Sequence, residues 1–192
     1  MSYWDDWKVE IQGHAELRSL HEVLRAEVQR RWQRSLPFAD ELFDRSERAS
    51  FLGFGEGSSV YDSCLVIGDV EVGAETWVGP FTVLDGSGGL RIGSSCSISA
   101  GVQIYTHDTV RRALTGGSAD IERAEVTIGD NTYLGPNALV TKGVAIGTHC
   151  VVGAQSLVSR DIPSNSIVFG VPGRVVGRTV IGDGTASLVF DE

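Results

Sequence analysis

From Leu65 to Ser159 an aliphatic residue returns about every sixth position, and this period constrains the fold more than any other feature of the chain. The series is Ile67, Val72, Val78, Leu84, Ile92, Ile98 and Ile104, resuming at Ile128, Leu134, Val140, Ile146, Val152 and Val158. Two residues before each stands a second apolar or small residue: Leu65, Val70, Thr76, Thr82, Leu90, Cys96, Val102, Val126, Thr132, Ala138, Val144, Cys150 and Ser156. Side chains alternate faces along a strand, so both members of such a pair point the same way. Glycine follows the aliphatic in most units, as in Val78-Gly79, Ile92-Gly93 and Ile146-Gly147, where a side chain would collide or φ would be positive. Short strand, turn, short strand at this period is the pattern of a parallel β-helix of hexapeptide units. A helical reading needs a 3.6-residue period, which is missing here.

A solenoid of this kind buries each coil against its neighbours, and 192 residues suffice for one such domain with a small appendage. The formal net charge of −9 argues against nucleic acid or an anionic membrane surface as the main partner. No apolar run approaches the roughly 20 residues needed to cross a bilayer. The start of the chain (Trp4, Asp5, Asp6, Trp7) is acidic and aromatic, without the apolar core of a signal peptide. Of the three cysteines, Cys96 and Cys150 fall on small inward positions and Cys64 adjoins another. Buried, reduced thiols are expected, and with them a reducing compartment, the cytoplasm.

Residues 1–56 form an N-terminal helical segment and linker, 57–177 the β-helix domain, and 178–192 a C-terminal tail. Between Glu16 and Arg34, Leu17, Leu20, Val23, Leu24, Val28 and Trp32 recur at helical spacing opposite a basic face. Pro37 is expected to close that helix and Asp40 to cap a second, short one running to Ala49. The glycine-rich stretch from Phe51 to Ser59 reads as a connector.

Three six-residue sides make a triangular coil, so every third unit shares an edge. Both breaks in the spacing lie on the edge that holds Ile67, Leu84, Ile104, Val140 and Val158. Two extra residues follow Leu84, within Asp85-Gly-Ser-Gly-Gly, and eighteen follow Ile104, within residues 105–127. Loops on a rigid scaffold concentrate binding and catalytic groups, so the chemistry belongs on this edge. The long loop opens with Tyr105-Thr106-His107-Asp108, and His107 is the one histidine on an insertion. Imidazole there can take a proton from a hydroxyl or amine. Asp85 stands at the same corner one coil below and can orient the ring, with Asp108 as the rival orienter. Lys142 and Arg160, with Arg174 and Arg178, suggest a basic strip suited to a phosphate-bearing ligand. Arg111 and Arg112, inside the loop, can meet a phosphate on an acceptor.

The repeat, Ile104-Tyr-Thr-His-Asp108 opening a loop, the string from Ile128 to Asn137, and the ending from Val158 through Asp161-Ile-Pro to Gly170-Val-Pro-Gly-Arg-Val-Val176 together resemble the hexapeptide-repeat acyltransferases. The likeness runs from Gly57 to Gly177 and is strongest toward sugar O-acetyltransferases such as the galactoside, maltose and polysaccharide-cluster enzymes. It implies an all-β, left-handed parallel β-helix, against the usual right-handed crossover. It also implies a homotrimer with active sites between subunits, acetyl-CoA as donor, direct acyl transfer and no metal.

By the same resemblance His107 is the catalytic base; Asp85, from its place at the same corner one coil below, is its expected partner. An active-site aromatic position falls on Tyr133, and positions contacting coenzyme A fall on Gly135, Ala154, Ser159, Arg160 and Arg174. Tyr105, Asp108 and Arg111 are the acceptor-side residues. A backbone N–H such as that of Gly135 is a candidate oxyanion donor. Ser159-Arg160 replaces the family's frequent Thr-Lys, and the N-terminus departs from the short cap of the maltose and galactoside enzymes. That departure favours a sugar carried on a nucleotide, lipid or polysaccharide precursor over a small free sugar. The alternatives are N-acetylation of an amino sugar and a non-catalytic β-helix module. A zinc site of the β-helix carbonic anhydrase type needs three histidines, and His107 with His149 falls short of that set.

Overall fold

The computed structural model describes residues 13–191; the stretch from Trp4 to Trp7 lies outside the described residues. The chain divides into two compact units, Met1–Asp44 and Arg45–Glu192.

In the first unit, α1 (His14–Trp32) begins and ends two residues earlier than the spacing suggests. It stops at Gln33, which turns into the left-handed region (φ 53) and donates its N–H to the Gln29 carbonyl. Pro37 therefore does not end α1; it stands at the start of α2 (Phe38–Leu42), where its fixed φ suits helix entry. Asp40 is inside α2 and buried rather than capping it. Of the apolar stripe on α1, Val28 is buried, while Leu17, Leu20, Val23 and Trp32 are exposed. The Glu41 carboxylate is buried, with His21 Nε2 at 3.1 Å and the Leu36 N–H donating at 3.2 Å. The expected second helix is broken at Phe43, which is extended (φ −110), so α3 (Arg45–Phe51) is a separate helix of the second unit. Arg48 on α3 donates to the carbonyls of Tyr61 and Cys64, tying it to the first coil.

The second unit is a parallel β-solenoid of about six turns. Its first coil holds β1 (Ser59–Val60) and β2 (Leu65–Val72), and its second β3 (Trp77–Val78) and β4 (Val83–Ile92). The third holds β5 (Ser97–Ile98) and β6 (Gln103–Ile104). Then comes the long loop with β7 (His107–Asp108), α4 (Val110–Leu114) and β8 (Glu122–Arg123), before β9 (Val126–Ile128) completes the turn. The fourth coil is β10 (Tyr133–Leu134), β11 (Leu139–Val140) and β12 (Ala145–Ile146), and the fifth β13 (Val151–Val152) and β14 (Leu157–Val158). The last begins with β15 (Ser166–Phe169). One prism face stacks β1, β3, β5, β10, β13 and β15; another carries β6, β11 and β14 above the first halves of β2 and β4. The third carries β9 and β12 above the second halves of β2 and β4.

Every aliphatic of the six-residue series is buried except Ile67. In the first coil Val66, not Ile67, pairs with Leu84, while Ile67 pairs with Asp85. Val60, Val66 and Val72 keep the six-residue spacing, which Ile67 breaks. A slip of one residue turns a strand over, so Leu65 and Ile67 are 59% and 48% exposed and Cys64 occupies the inward position.

The small inward positions form a polar seam inside the apolar core. Ser58 Oγ, Thr76 Oγ1, Cys96 Sγ, Thr132 Oγ1 and Cys150 Sγ each donate to a carbonyl of the coil above, those of Gly73, Gly93, Gly129, Gly147 and Pro163. The same oxygens of Ser58, Thr76 and Thr132 accept the N–H groups of Thr76, Cys96 and Cys150. The seam satisfies backbone groups that burial would otherwise strand. All three cysteines are buried, and burial pushes the thiols of Cys96 and Cys150 up, so they stay protonated.

Steric collision explains the glycines after the aliphatics: a Cβ on Gly129 would lie 2.7 Å from the Thr148 nitrogen in the next coil. The left-handed backbone falls two residues later, at Asn131, Asn137 and His149. Residues 178–190 are not a loose tail, because β16 (Arg174–Gly182) and β17 (Thr185–Phe190) form an antiparallel hairpin continuing from β15. No helix among the described residues is long and apolar enough to cross a membrane.

Candidate active site

Both insertions meet at one corner, between the face of β6 and the face of β9. In the lower coil, β4 runs through the corner and carries Asp85 there, paired to Ile67 below it. Asp85 is 1% exposed and its carboxylate is surrounded by donors. The Ser87 hydroxyl and N–H donate to Oδ1 at 2.5 and 3.1 Å. The Thr106 N–H donates to Oδ2 at 2.8 Å, and His107 Nδ1 lies 2.6 Å from the same oxygen. The Asp-x-Ser arrangement is an Asx-type turn, in which a short acidic side chain accepts from backbone two residues on.

Burial works against ionisation of Asp85. Hydrogen bonds from the Ser87 side chain, the Thr106 N–H, His107 and the Ser87 N–H outweigh it and hold the carboxyl well below the usual carboxylate range. An ionised Asp85 accepts from Nδ1–H, which fixes the ring and leaves Nε2 as the nitrogen free to act. The imidazole is 34% exposed, so it is reachable from solvent.

Thr106, next to His107, is wholly buried and links the two insertions. Its hydroxyl donates to the Asp85 carbonyl at 2.8 Å and accepts the Gly88 N–H at 2.7 Å. A Cβ on Gly88 would lie 2.5 Å from the Thr106 carbonyl oxygen, so glycine lets the insertions touch. Sequence reasoning passed over Ser87 and Thr106. The Asx-turn pattern of Asp85-Gly-Ser87 was readable, whereas the contact of Thr106 with the lower coil depends on register.

The long loop is ordered. β7 and β8 pair antiparallel, His107 with Arg123 and Asp108 with Glu122, and α4 joins them. Asp108 does not orient His107: its Oδ1 accepts the Val110 N–H at 3.0 Å and its Oδ2 lies 3.0 Å from Lys142 Nζ. Lys142 also contacts Glu122 at 2.8 Å, so its ammonium is held by two carboxylates instead of joining a free basic strip. Hydrogen bonds that Lys142 donates to Glu122 and then Asp108 push its ammonium up, and Lys142, then the Val110 N–H, hold Asp108 down. Arg111 pairs with Glu122 at 2.8 Å. The Tyr105 hydroxyl donates to Gln103 at 2.9 Å.

The coenzyme A positions do not gather at this corner within one chain. Ser159 and Arg160 follow β14 on the His107 edge and are exposed. Tyr133, Gly135 and Ala154 belong to β10 and the turns after β10 and β13, on the neighbouring edge. The Gly135 N–H is committed to the Val152 carbonyl at 2.8 Å, so it is not a free oxyanion donor. Arg174 opens β16 and donates to the Gly173 carbonyl. Among the described residues no cluster of three His, Cys, Asp or Glu side chains comes together that could hold a metal ion.

Residues 125–160 match the bacterial transferase hexapeptide family, described as six repeats. Galactoside O-acetyltransferase of Escherichia coli is 45% identical over 51 residues, covering 27% of this chain and 25% of that protein. Serine acetyltransferase of Mycobacterium tuberculosis is 30% identical over 112 residues, 58% of this chain and 46% of that protein. The chain therefore spans about a quarter to a half of the length of these curated relatives. A hexapeptide-repeat acetyltransferase from Vibrio cholerae, solved with acetyl coenzyme A, superposes with a TM-score of 0.60 at 26% identity over 90% of each chain. Six-residue units stacked as parallel coils, a hexapeptide match at 125–160 and a similar acetyltransferase structure over nine-tenths of its length make this chain similar to the hexapeptide-repeat bacterial transferases.

Proposed function

We propose that the protein transfers an acetyl group from acetyl-CoA to a hydroxyl of a sugar or sugar-containing precursor. The observation that carries this reading is His107 Nδ1 at 2.6 Å from Oδ2 of the buried Asp85. Nε2 then takes the proton of the acceptor hydroxyl as its oxygen attacks the thioester carbonyl. The tetrahedral intermediate collapses with loss of the coenzyme A thiolate, which receives the proton back from the imidazolium. Asp85 stabilises that imidazolium while it exists. A positioned base of this kind contributes roughly 10²–10⁴-fold. The test is release of free coenzyme A with sugars, nucleotide sugars, amino sugars and serine as acceptors. Turnover with hydroxyl acceptors supports O-transfer, whereas turnover with amines alone replaces it by N-transfer.

The two-edge distribution of Tyr133, Gly135 and Ala154 against His107, Ser159 and Arg160 supports a site shared between subunits of a trimer. A second prism laid alongside can bring one edge of its own to the other edge of this chain. Light scattering is expected to return three times the chain mass, and a monomer at working concentration overturns this.

The loop of residues 105–127 is expected to govern acceptor choice and leave donor affinity alone. It grows from His107, and its outer part is knit by Thr115, whose hydroxyl accepts the Ala119 N–H at 2.9 Å. Deleting 114–119 should raise the KM of the acceptor several-fold with the acetyl-CoA KM unchanged. A shift confined to acetyl-CoA would put the substrates on the opposite sides.

A further inference from the structure

We propose that Lys142 is a positioning residue that clamps the strand bearing His107. The inference rests on His107 acting as the base. β7 and β8 are two residues each, and a ribbon that short has no stability of its own in water. Asp108 and Glu122 face each other across it as register partners, a pairing of like charges that opposes the ribbon. Lys142 enters from the coil above, just past β11, and sets its ammonium 3.0 Å from Asp108 and 2.8 Å from Glu122. Arg111, within the loop, also pairs with Glu122, but Lys142 contacts both carboxylates, so it bridges the repulsive pair and fastens both strands to a rigid coil. At 24% side-chain exposure it is better shielded than an ordinary surface ion pair. His107 directly precedes Asp108, so whatever holds Asp108 limits how far the imidazole can drift from Asp85 and from an acceptor. Displacement of a reacting group by about 1 Å can lower a rate by as much as roughly a hundredfold. Asp85 still holds the ring when Lys142 is lost, so a smaller effect is expected here.

Lys142→Met should lower kcat about tenfold with the acetyl-CoA KM unchanged, and Lys142→Arg, which can still bridge both carboxylates, should restore most of it. In an Asp108→Asn, Glu122→Gln background the repulsion is gone, so adding Lys142→Met should cost less than it does alone. Hydrogen–deuterium exchange at His107, Asp108 and Ala124 should quicken in Lys142→Met, an effect that does not depend on turnover. A rise in the KM of either substrate at constant kcat overturns the proposal, because the ammonium would then be contacting substrate. Unchanged kcat with unchanged exchange overturns it as well. If His107→Ala keeps full activity, the base assignment fails, and the exchange measurement still decides whether the clamp exists.

Discussion

Replacing His107 by alanine is expected to lower kcat by at least about two orders of magnitude while coenzyme A binding stays nearly unchanged. The ring is held at Nδ1 by a buried carboxylate, and its side chain is partly open to solvent. On the proposed mechanism its removal takes away the proton acceptor at the moment the hydroxyl attacks, an interaction made in the transition state, so kcat and kcat/KM should fall together. The fold should not suffer, because His107 is half-buried at the edge of the core. Steady-state release of coenzyme A gives the rate, and calorimetry with coenzyme A gives the affinity. Full turnover by the alanine variant with its natural acceptor would remove His107 from the base role.

Asp85 should show two effects at once, because the carboxylate serves both the ring and the corner. In Asp85→Ala the N–H groups of Ser87 and Thr106 lose their acceptor in a buried place, at about 1–3 kcal/mol for each unsatisfied donor. A loss of roughly 2–5 kcal/mol in unfolding free energy is expected, with a fall in kcat of about a hundredfold from the freed imidazole. Asp85→Asn should lie between, since an amide oxygen can still accept from Thr106 and His107 while its NH₂ turns to the Ser87 hydroxyl. Acid should separate the two contributions. Hydrogen bonding depresses the folded-state pKa of Asp85 despite burial, so its stabilisation is fully present above the unfolded carboxyl value of about 3.9. It is lost as the pH falls below that value toward the folded one. The melting temperature of the native protein should therefore drop more steeply below about pH 4 than that of Asp85→Asn. Parallel curves for the two proteins would show that the carboxylate does not carry this charge-dependent stability.

The sequence by itself determined the solenoid, its period and the corner where the two insertions meet. A six-residue repeat is written in identities: Val78, Leu84, Ile98, Leu134 and Val152 must be apolar because each meets its counterpart in the next coil. The insertions after Leu84 and Ile104 are visible as breaks in that rhythm, and a lone histidine on the longer one, over an aspartate on the shorter, marked the pair that now lies at 2.6 Å. Tertiary structure decided what depends on register and on competition between charges. Whether Val66 or Ile67 faces inward is a difference of one residue that local pattern left open and stacking on Leu84 settled. Asp85 rather than Asp108 holds the ring because the antiparallel turn-back of β7 and β8 carries Asp108 to Lys142. Lys142 read as a surface cation for a phosphate until the fold brought two carboxylates to it. The exposed stripe on α1 shows the same division, since helical spacing encodes an amphipathic surface but not what covers it. Period and composition are local properties of a chain, whereas a hydrogen bond between residues 22 positions apart exists only once the coils have stacked.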